Sequence, residues 1–331
     1  MSRLDQLLQN HMLNLDAPDH TRLRKLVSKT FTIRRINDLA PRTQEIADAL
    51  IDPIQAQGYM DLIDDFAVPL PITVISEMLG VPPEDRPLFS RASAMFIAPE
   101  TFENSMLEYG PVMREFIDYL TNIFAQRRQE PKDDLISALL QVEEEGEQLS
   151  EAEMYSMVVL LMVAGHETTA NLIGNGLLAL MEYPEQRVLL EREPERIDAF
   201  VEEILRHNGP AERVTMRYAA EDTELAGKLI RRGERVTVVA GAANRDPKQF
   251  ANPDQFNMTR TDNKHMGFGY GVHYCVGAPL ARMEAKIAVQ TLLRRLPNLR
   301  LADHAYNADE GILWNTGILV RGMVRMPVVW D

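Results

Sequence analysis

The chain has 331 residues, of which 45% are hydrophobic and 25% charged, a composition typical of a globular protein with a sizeable core. Lys and Arg total 35 and Asp and Glu total 49, so the net charge of −14 argues against binding nucleic acid or an anionic membrane. One cysteine excludes an intramolecular disulfide, and neither a signal peptide nor a membrane span is evident, so a cytoplasmic location is expected.

Helical periodicity dominates the first two thirds of the chain. Amphipathic helices are predicted over 20–30, 41–57, 64–79, 102–129 and 133–145. A long helix follows, with Ser150 and Glu153 as a capping box at its start and Tyr183-Pro184 at its end. Its length of roughly 50 Å predicts that it crosses the whole molecule. Two shorter helices are predicted over 184–192 and 196–208.

The pattern then changes to a period of two, which predicts strands over 216–220, 228–230 and 235–240. Residues 244–274 form an irregular stretch rich in Asn, Asp, Pro and Gly, and irregular segments of that length are usually functional. A helix over 278–296 and short strands near 312–329 complete the chain. The expected fold class is mainly α with a small β part, in one domain over 1–331.

The strongest chemical signal is a glycine-rich loop around the only cysteine, Cys275. Glycines on both sides of Cys275 let the backbone bend around the sulfur, and backbone N–H groups with the N-terminus of the next helix stabilise negative charge there. On its own, a lone cysteine is most often a small buried hydrophobe. The spacing does not fit a dinucleotide-binding loop, and a zinc site lacks a second thiolate.

The loop resembles the haem-binding signature of the cytochromes P450, Phe-Gly-x-Gly-x-His-x-Cys-x-Gly, and all six fixed positions match within 268–277. The resemblance implies that haem b is the cofactor and that Cys275 is the axial thiolate ligand of its iron, which favours O–O cleavage. It also implies that Phe268, Gly269 and Gly277 contact the haem.

The centre of the long helix carries Ala164-Gly165-His166-Glu167-Thr168-Thr169, where Gly and Thr are poor helix formers. An isolated acid–alcohol pair is more often a solvated polar patch. Beside the cysteine loop, however, this run resembles the oxygen-activation motif of the P450 family. The resemblance implies that Ala164 lies at the haem, Gly165 makes room for dioxygen, Glu167 brings protons from solvent and Thr168 hydrogen-bonds the oxygen being cleaved, since O–O cleavage needs two protons. His166 is not expected to be a ligand.

Other positions match the family's supporting residues. Glu203 and Arg206, at i,i+3 on a helix, would alone be a weak surface salt bridge, but they match the family's Glu-x-x-Arg pair, which implies a structural role. The cations that match positions contacting the two haem propionates are His20, Arg24, Arg217 and His273.

The helix after Cys275 carries Arg282, Lys286, Arg294 and Arg295. These side chains are either a solvated helix face or a basic patch on which an acidic ferredoxin or flavodoxin docks. The chain has no room for a fused flavin or iron–sulfur domain, so an external electron donor is expected.

The resemblance covers essentially the whole chain but departs from the family at the N-terminus. Only 19 residues precede His20, where family members carry a long segment that supplies helices and most of the main sheet. The expected fold is therefore a cytochrome P450 fold that is N-terminally truncated, with exposed strand edges and a more open haem pocket.

The resemblance implies a monooxygenase that inserts one oxygen atom from O₂ into an apolar small molecule of the macrolide, terpenoid or other natural-product type. A peroxide-driven enzyme and a haem-binding protein without turnover are the alternatives. The side chains expected to face the substrate, from their positions alone, are Met95, Phe96, Ile97, Val163, Ala164, Val214, Thr215 and Ile318.

Overall fold

One long helix runs through the protein and most of the other helices pack against it. The computed structural model describes residues 10–97, 105–143, 146–303, 312–315 and 319–331, with only the backbone described for 94–97 and 105–109. In chain order the helices are α1 Asp19–Thr30, α2 Ile33–Asp38, α3 Ala40–Ile51, α4 Pro69–Leu79, α5 Arg86–Ile97, α6 Ser105–Gln129, α7 Leu135–Gln141, α8 Glu151–Glu182, α9 Pro184–Arg192, α10 Ile197–Asn208, α11 Ala240–Ala243 and α12 Ala278–Arg295.

The long helix α8 begins and ends where local chemistry dictates. Ser150 Oγ accepts a hydrogen bond from the N–H of Glu153 (3.3 Å), and the Glu153 carboxylate accepts one from the N–H of Ser150 (2.8 Å). This capping box satisfies two of the backbone donors that a helix leaves without partners, and Pro184 prevents α8 from continuing. Although α8 is long and apolar enough to cross a membrane, 67% of its most apolar stretch is buried inside the protein, as in the core helix of a globular fold.

The β structure consists of short antiparallel pairings. The strands are β1 Tyr59–Asp61, β2 Arg217–Tyr218, β3 Thr223–Leu225, β4 Lys228–Ile230, β5 Arg235–Val236, β6 Arg300–Leu301, β7 Leu313–Trp314, β8 Met323–Arg325 and β9 Pro327–Val329. Strand β9 lies between β1 and β6, while β2 pairs with β5, β3 with β4, and β7 with β8.

The structure corrects the bounds of two predicted helices. The helix predicted over 41–57 ends at Ile51 and is followed by a 3₁₀ turn and strand β1, which the sequence pattern did not indicate. The helix predicted over 64–79 is divided: the N–H of Val68 donates to Ile63 O (3.0 Å) in one wide turn, and α4 starts at Pro69. Proline is favoured at a first helical position because its missing N–H would have had no partner there.

Apolar side chains remain open to solvent on the two-stranded sheets β2–β5 and β3–β4. Within the described residues neither sheet has a third strand. The predicted strands over 216–220 and 235–240 are shortened to two residues each. The exposed apolar residues in and beside these sheets are Met216, Tyr218, Leu225, Leu229, Val238 and Val239.

Candidate active site

The loop that carries Cys275 has the tight backbone that the glycines predicted. Gly269 and Gly271 have φ angles of +74° and +76°, in the left-handed region that favours glycine. The N–H of Cys275 donates to Phe268 O (3.0 Å), which closes the loop just before α12 begins at Ala278. The thiol is surrounded by protein on most sides and is nevertheless reached by solvent.

Burial and the neighbouring polar groups act in opposite directions on the pKa of the Cys275 thiol, and burial has the larger effect. Burial raises the pKa of Cys275, and hydrogen bonds from the backbone N–H groups of Gly277 and Ala278, together with the charges of Arg24 and Arg282, oppose that rise. A metal-ligating thiolate needs such donors, because they stabilise negative charge on sulfur. The donor set of this loop therefore fits a thiolate ligand of haem iron.

The four predicted propionate ligands come together beside the thiol. The rings of His20 and His273 lie 4.2 Å apart between centroids. Burial lowers the pKa of both histidines, with a further contribution from Arg24 at His20 and from His20 and Arg217 at His273. Asp16 Oδ1 lies 3.9 Å from His273 Nε2 and acts in the opposite direction.

Two arginines in this cluster lack a carboxylate. The guanidinium groups of Arg24 and Arg217 are half-buried and make no hydrogen bond or ion pair within the part of the chain that the structure describes. Half-buried arginines normally find an acidic partner, and the planar guanidinium suits a carboxylate. Two such arginines beside two histidines fit the two propionates of haem.

The centre of α8 opens to solvent although the helix is otherwise mostly buried. Ala164 is exposed and Val163 and Thr168 are half-buried. Thr168 Oγ1 donates to Ala164 O (2.8 Å), and Thr169 Oγ1 donates to Gly165 O (3.2 Å) one residue further on. Because its proton is engaged in this back-bond, the Thr168 hydroxyl presents its lone pairs to the open space as an acceptor.

Glu167 combines burial with an unused oxygen. Burial raises the pKa of its carboxyl group to about 7, and Oε2 has no hydrogen-bond partner within the described residues. A carboxyl group with that pKa exchanges protons near neutral pH, which suits a general acid or a proton relay.

Two other residues of this run serve packing. A Cβ on Gly165 would lie 3.2 Å from Ile75 Cγ1, so the space that this glycine leaves is taken by α4. The structure thus places Gly165 in a contact between two helices and gives no support to the prediction that it makes room for dioxygen. His166 is buried, with Nδ1 3.2 Å from Met162 O and 3.3 Å from Ser93 Oγ, as expected of a residue that is not a ligand.

Glu203 and Arg206 form a buried pair rather than a surface salt bridge. Both side chains are fully buried, and two N–H···O bonds of 2.8 Å join them. Arg206 also donates to Asn244 O (3.1 Å), Pro253 O (2.7 Å) and Gln255 O (2.9 Å), which fastens the irregular stretch 244–274 to α10.

The basic side chains of α12 are each paired with a carboxylate. Arg282 binds Glu202 through two hydrogen bonds (2.6 and 2.9 Å), and Lys286 lies 2.8 Å from Asp198. Arg294 and Arg295 both approach Asp48, at 3.5 and 2.7 Å. These pairs favour the alternative of a solvated helix face, because their local charge is largely balanced.

Four of the eight predicted substrate-facing side chains lie within the described residues. The side chains of Met95, Phe96 and Ile97 lie outside the described residues, as does Ile318. Val214 and Thr215 are half-buried, as is Val163 on α8.

Two residues with structural roles at this site escaped the sequence analysis. Burial raises the pKa of Glu202, but the hydrogen bonds and charges of Arg282 and His265 outweigh it and lower that pKa to about 2. Asn244 is buried and its Oδ1 accepts from the N–H of Met266 (2.7 Å), which ties the two ends of the irregular stretch together. Only the position of Asn244 at the start of that stretch hinted at this role.

Comparison with known proteins identifies the family. The Cytochrome P450 family model matches residues 89–299. Cytochrome P450 107B1 of Saccharopolyspora erythraea is 46% identical, over 96% of this chain and 76% of that protein. Mycinamicin IV hydroxylase/epoxidase of Micromonospora griseorubida is 42% identical, over 98% of this chain and 81% of that protein.

A solved structure agrees with these sequence matches. The cytochrome P450 PksS of the Bacillus subtilis 168 bacillaene polyketide synthase superposes with a TM-score of 0.93 at 42% identity, over all of this chain and 84% of that one. The predicted P450 fold is thus confirmed, and membership implies haem ligated by a cysteine thiolate. The chain therefore belongs to the cytochrome P450 family and is a monooxygenase.

Proposed function

We propose that Cys275 holds haem b and that the enzyme inserts one oxygen atom from O₂ into an apolar small molecule of the macrolide, polyketide or terpenoid type. The observation that carries the proposal is the position of the only thiol. It lies in a glycine loop with backbone N–H groups directed at it, beside Arg24 and Arg217, which lack a carboxylate partner within the described residues.

The residues that would hold the cofactor follow from that position. His20, Arg24, Arg217 and His273 would bind the propionates. Phe268, held by the Arg282 guanidinium 4.5 Å above its ring, would pack beside the thiolate with Gly269 and Gly277. We treat 1–331 as one haem-thiolate domain, with Glu203 and Arg206 required for haem incorporation because they fasten the stretch that leads into the loop.

When bound, haem supplies the site at which O₂ is reduced with two electrons and two protons, so that one oxygen atom enters the substrate and the other leaves as water. The chain supplies the proton route. Glu167 holds an exchangeable proton at a carboxyl group with one free oxygen, and Thr168 presents its hydroxyl one residue further along the helix. Both lie beside an apolar opening at Val163 and Ala164. Water that entered this opening would compete with the reduction of O₂ for the protons.

The proposed substrate class rests on relatives and on the apolar residues of the opening. The names of two relatives refer to mycinamicin IV and to a bacillaene polyketide synthase. Val163, Ala164 and Val214 are apolar and Thr215 is only weakly polar, which suits a ligand that binds mainly by burying apolar surface. We propose a ferredoxin or flavodoxin as the external electron donor and the cytoplasm as the location.

The iron ligand is tested first, through the absorbance of the reduced carbon monoxide complex of the purified, haem-supplied protein. The wild type should give the band characteristic of a haem thiolate, and Cys275→Ser should abolish it while leaving secondary structure in place. A thiolate-type band in Cys275→Ser, or the absence of such a band in the wild type, would show that Cys275 is not the iron ligand.

The proton route is tested with a matched pair of variants, since Thr168 and Thr169 make the same kind of back-bond to α8. With surrogate redox partners and O₂, Thr168→Ala should lose at least about tenfold in product formed per electron consumed, a threshold set below the roughly 10²- to 10⁴-fold that general acid–base catalysis typically contributes. The missing product should be replaced by hydrogen peroxide. Thr169→Ala should behave like the wild type, and equal losses in both variants would contradict the role of Thr168.

A further inference from the structure

The segment that leads into strand β8 approaches helix α8 so closely at Gly322 that a Cβ there would force a neighbour to move. A Cβ on Gly322 would lie 1.8 Å from Asn171 Oδ1 and 2.1 Å from its Cγ, distances that non-bonded atoms cannot adopt. The φ angle of Gly322 is outside the left-handed region, so the backbone conformation does not require glycine. Alanine at this position would therefore require either the Asn171 side chain or the segment itself to shift.

The neighbouring residue Arg321 connects this contact to two other elements. Asn175 Nδ2 donates to Arg321 O (3.2 Å) and to Asn208 O (2.9 Å) at the end of α10. Arg321 in turn donates from its N–H to Pro210 O (2.7 Å) and from Nε to Asn208 Oδ1 (2.8 Å). Its guanidinium lies 4.5 Å above the ring of Trp314 on β7. We call Asn171, Asn175, Arg321 and Gly322 the asparagine clamp.

The asparagine clamp lies on the same face of α8 as the candidate oxygen-activation residues. Ala164, Thr168, Asn171 and Asn175 are spaced by four, three and four residues, which places them in one stripe along the helix. Ala164 is exposed and Thr168 half-buried, whereas Asn171 and Asn175 are 5% and 0% exposed. The open part of this face therefore ends where the clamp begins, and the clamp forms its end wall.

Two chain segments start from the clamp. Ala211 and Val320 form an antiparallel bridge next to Arg321. From that bridge one segment continues to the half-buried Val214 and Thr215, and the other leads back to Leu319, which is 44% exposed. A shift of the clamp relative to α8 would move both segments together.

The clamp carries a cost in stability. Asn171 Nδ2, Asn175 Oδ1 and Asn315 Oδ1 are buried polar atoms without a hydrogen-bond partner among the described residues, and such atoms are costly. An apolar side chain at 171 would avoid the cost of its unpaired Nδ2, whereas one at 175 would leave Asn208 O and Arg321 O without their donor. What the carboxamides and the glycine provide together is a defined distance between the backbone at 321–322 and α8.

We propose that the asparagine clamp determines ligand size selectivity, as a set of positioning residues. It holds segments 211–215 and 319–322 at a set distance from the Ala164–Thr168 face and so limits the ligand that fits between them. This inference rests on the proposed function, because the space in front of that face is the proposed haem and substrate cavity.

The test compares two variants of the haem-loaded full chain. Gly322→Ala introduces a methyl group that clashes with Asn171, and Asn171→Ala/Gly322→Ala removes that clash. Imidazole and 4-phenylimidazole are titrated spectroscopically, and the ratio of their dissociation constants reports cavity size. Gly322→Ala should push the segment away from α8 and shift the ratio at least about fivefold toward the larger ligand. Asn171→Ala/Gly322→Ala should return it to within about twofold of the wild type, because the new methyl group fills the space that the carboxamide leaves.

The control is Gly110→Ala, since a Cβ there would make only an ordinary 3.6 Å contact with Arg114, and its ratio should not change. If Gly322→Ala does not load haem, Asn175→Ala decides, because it removes two clamp hydrogen bonds without a clash and should shift the ratio in the same direction. An unchanged ratio in Gly322→Ala or, failing that, in Asn175→Ala overturns the inference. A wild type that binds neither carbon monoxide nor imidazole would instead refute the proposed function.

Discussion

The carboxyl group of Glu284 lies fully buried in helix α12, and neither oxygen has a hydrogen-bond partner in the described part of the chain. Burial alone raises its pKa well above the ordinary range. The folded protein therefore holds the proton of Glu284 to higher pH than the unfolded chain does. Between these two pKa values the folded state binds the extra proton, so the free energy of unfolding falls as pH rises.

Glu284→Gln should remove this pH dependence because glutamine has a similar shape and no ionisation. Above the unfolded-state pKa of about 4.3, the free energy of unfolding of the wild type, relative to the variant, should fall by up to about 1.4 kcal/mol per pH unit, until the raised folded-state pKa is passed. Urea unfolding of both proteins at several pH values measures this, with the exposed Glu185→Gln as control. Parallel curves for the wild type and Glu284→Gln would contradict it.

Glu167 has a different pH signature because its raised pKa, about 7, lies within the working range. Its carboxyl group holds a proton below that pH and loses it above. In the wild type, product formed per electron consumed should therefore fall between about pH 6 and about pH 8, and Glu167→Gln should give a lower and flatter profile. A wild-type profile that rises over this interval would exclude Glu167 as the proton donor.

At the scale of elements, the buried ion pair Glu203–Arg206 on α10 should contribute much more to the free energy of unfolding than the partly exposed pair Glu202–Arg282. Glu203→Gln leaves Arg206 as a fully buried charge without its carboxylate, a change that typically costs about 3–5 kcal/mol. Glu202→Gln on the same helix removes a partly exposed partner of Arg282 and should cost about 1 kcal/mol or less. Urea unfolding and haem content of the two variants measure the difference, and equal losses would refute it.

The elements that sequence predicted well are those whose signals are local. The start of α8 follows from Ser150 and Glu153, three residues apart, and the cysteine loop from its own glycines. Strand β1 escaped prediction because it is three residues long and pairs with Val329 and its neighbours at the far end of the chain. Short strands stabilised by remote partners leave no periodic signal of their own.

For the candidate site, the sequence predicted which residues are chemically important but not which other residues they contact. Arg295 was correctly seen as basic, but its partner Asp48 lies in α3, so sequence could not indicate that its charge is balanced. Gly165 was correctly seen as unusual, but its close neighbour Ile75 belongs to α4. For Arg295 this tertiary contact favours one of the two roles that the sequence left open, whereas the role of Gly165 in making room for dioxygen stays a prediction.

At the scale of the whole molecule, the balanced charges on α12 change the expectation for electron delivery. With those basic side chains paired, the net charge of −14 acts at long range and repels an acidic ferredoxin. Salt screens that repulsion, so the second-order rate constant for reduction should rise between about 0.05 M and about 0.3 M ionic strength. Stopped-flow reduction measures it, and a rate constant that falls with salt would indicate a cationic docking patch.

The apolar side chains beside β2, β5, β3 and β4 have a consequence for handling the protein. Tyr218, Leu225 and Leu229 lie on narrow ribbons that have hydrogen-bonding groups along their rims and no further strand within the described residues. The free edges of such two-stranded sheets can pair with strands of another molecule. The negative net charge that all copies of the chain carry opposes this association. Concentrated stocks near the calculated pI of about 5.1 should thus turn turbid while still fully folded, and moderate alkalinity should clear them.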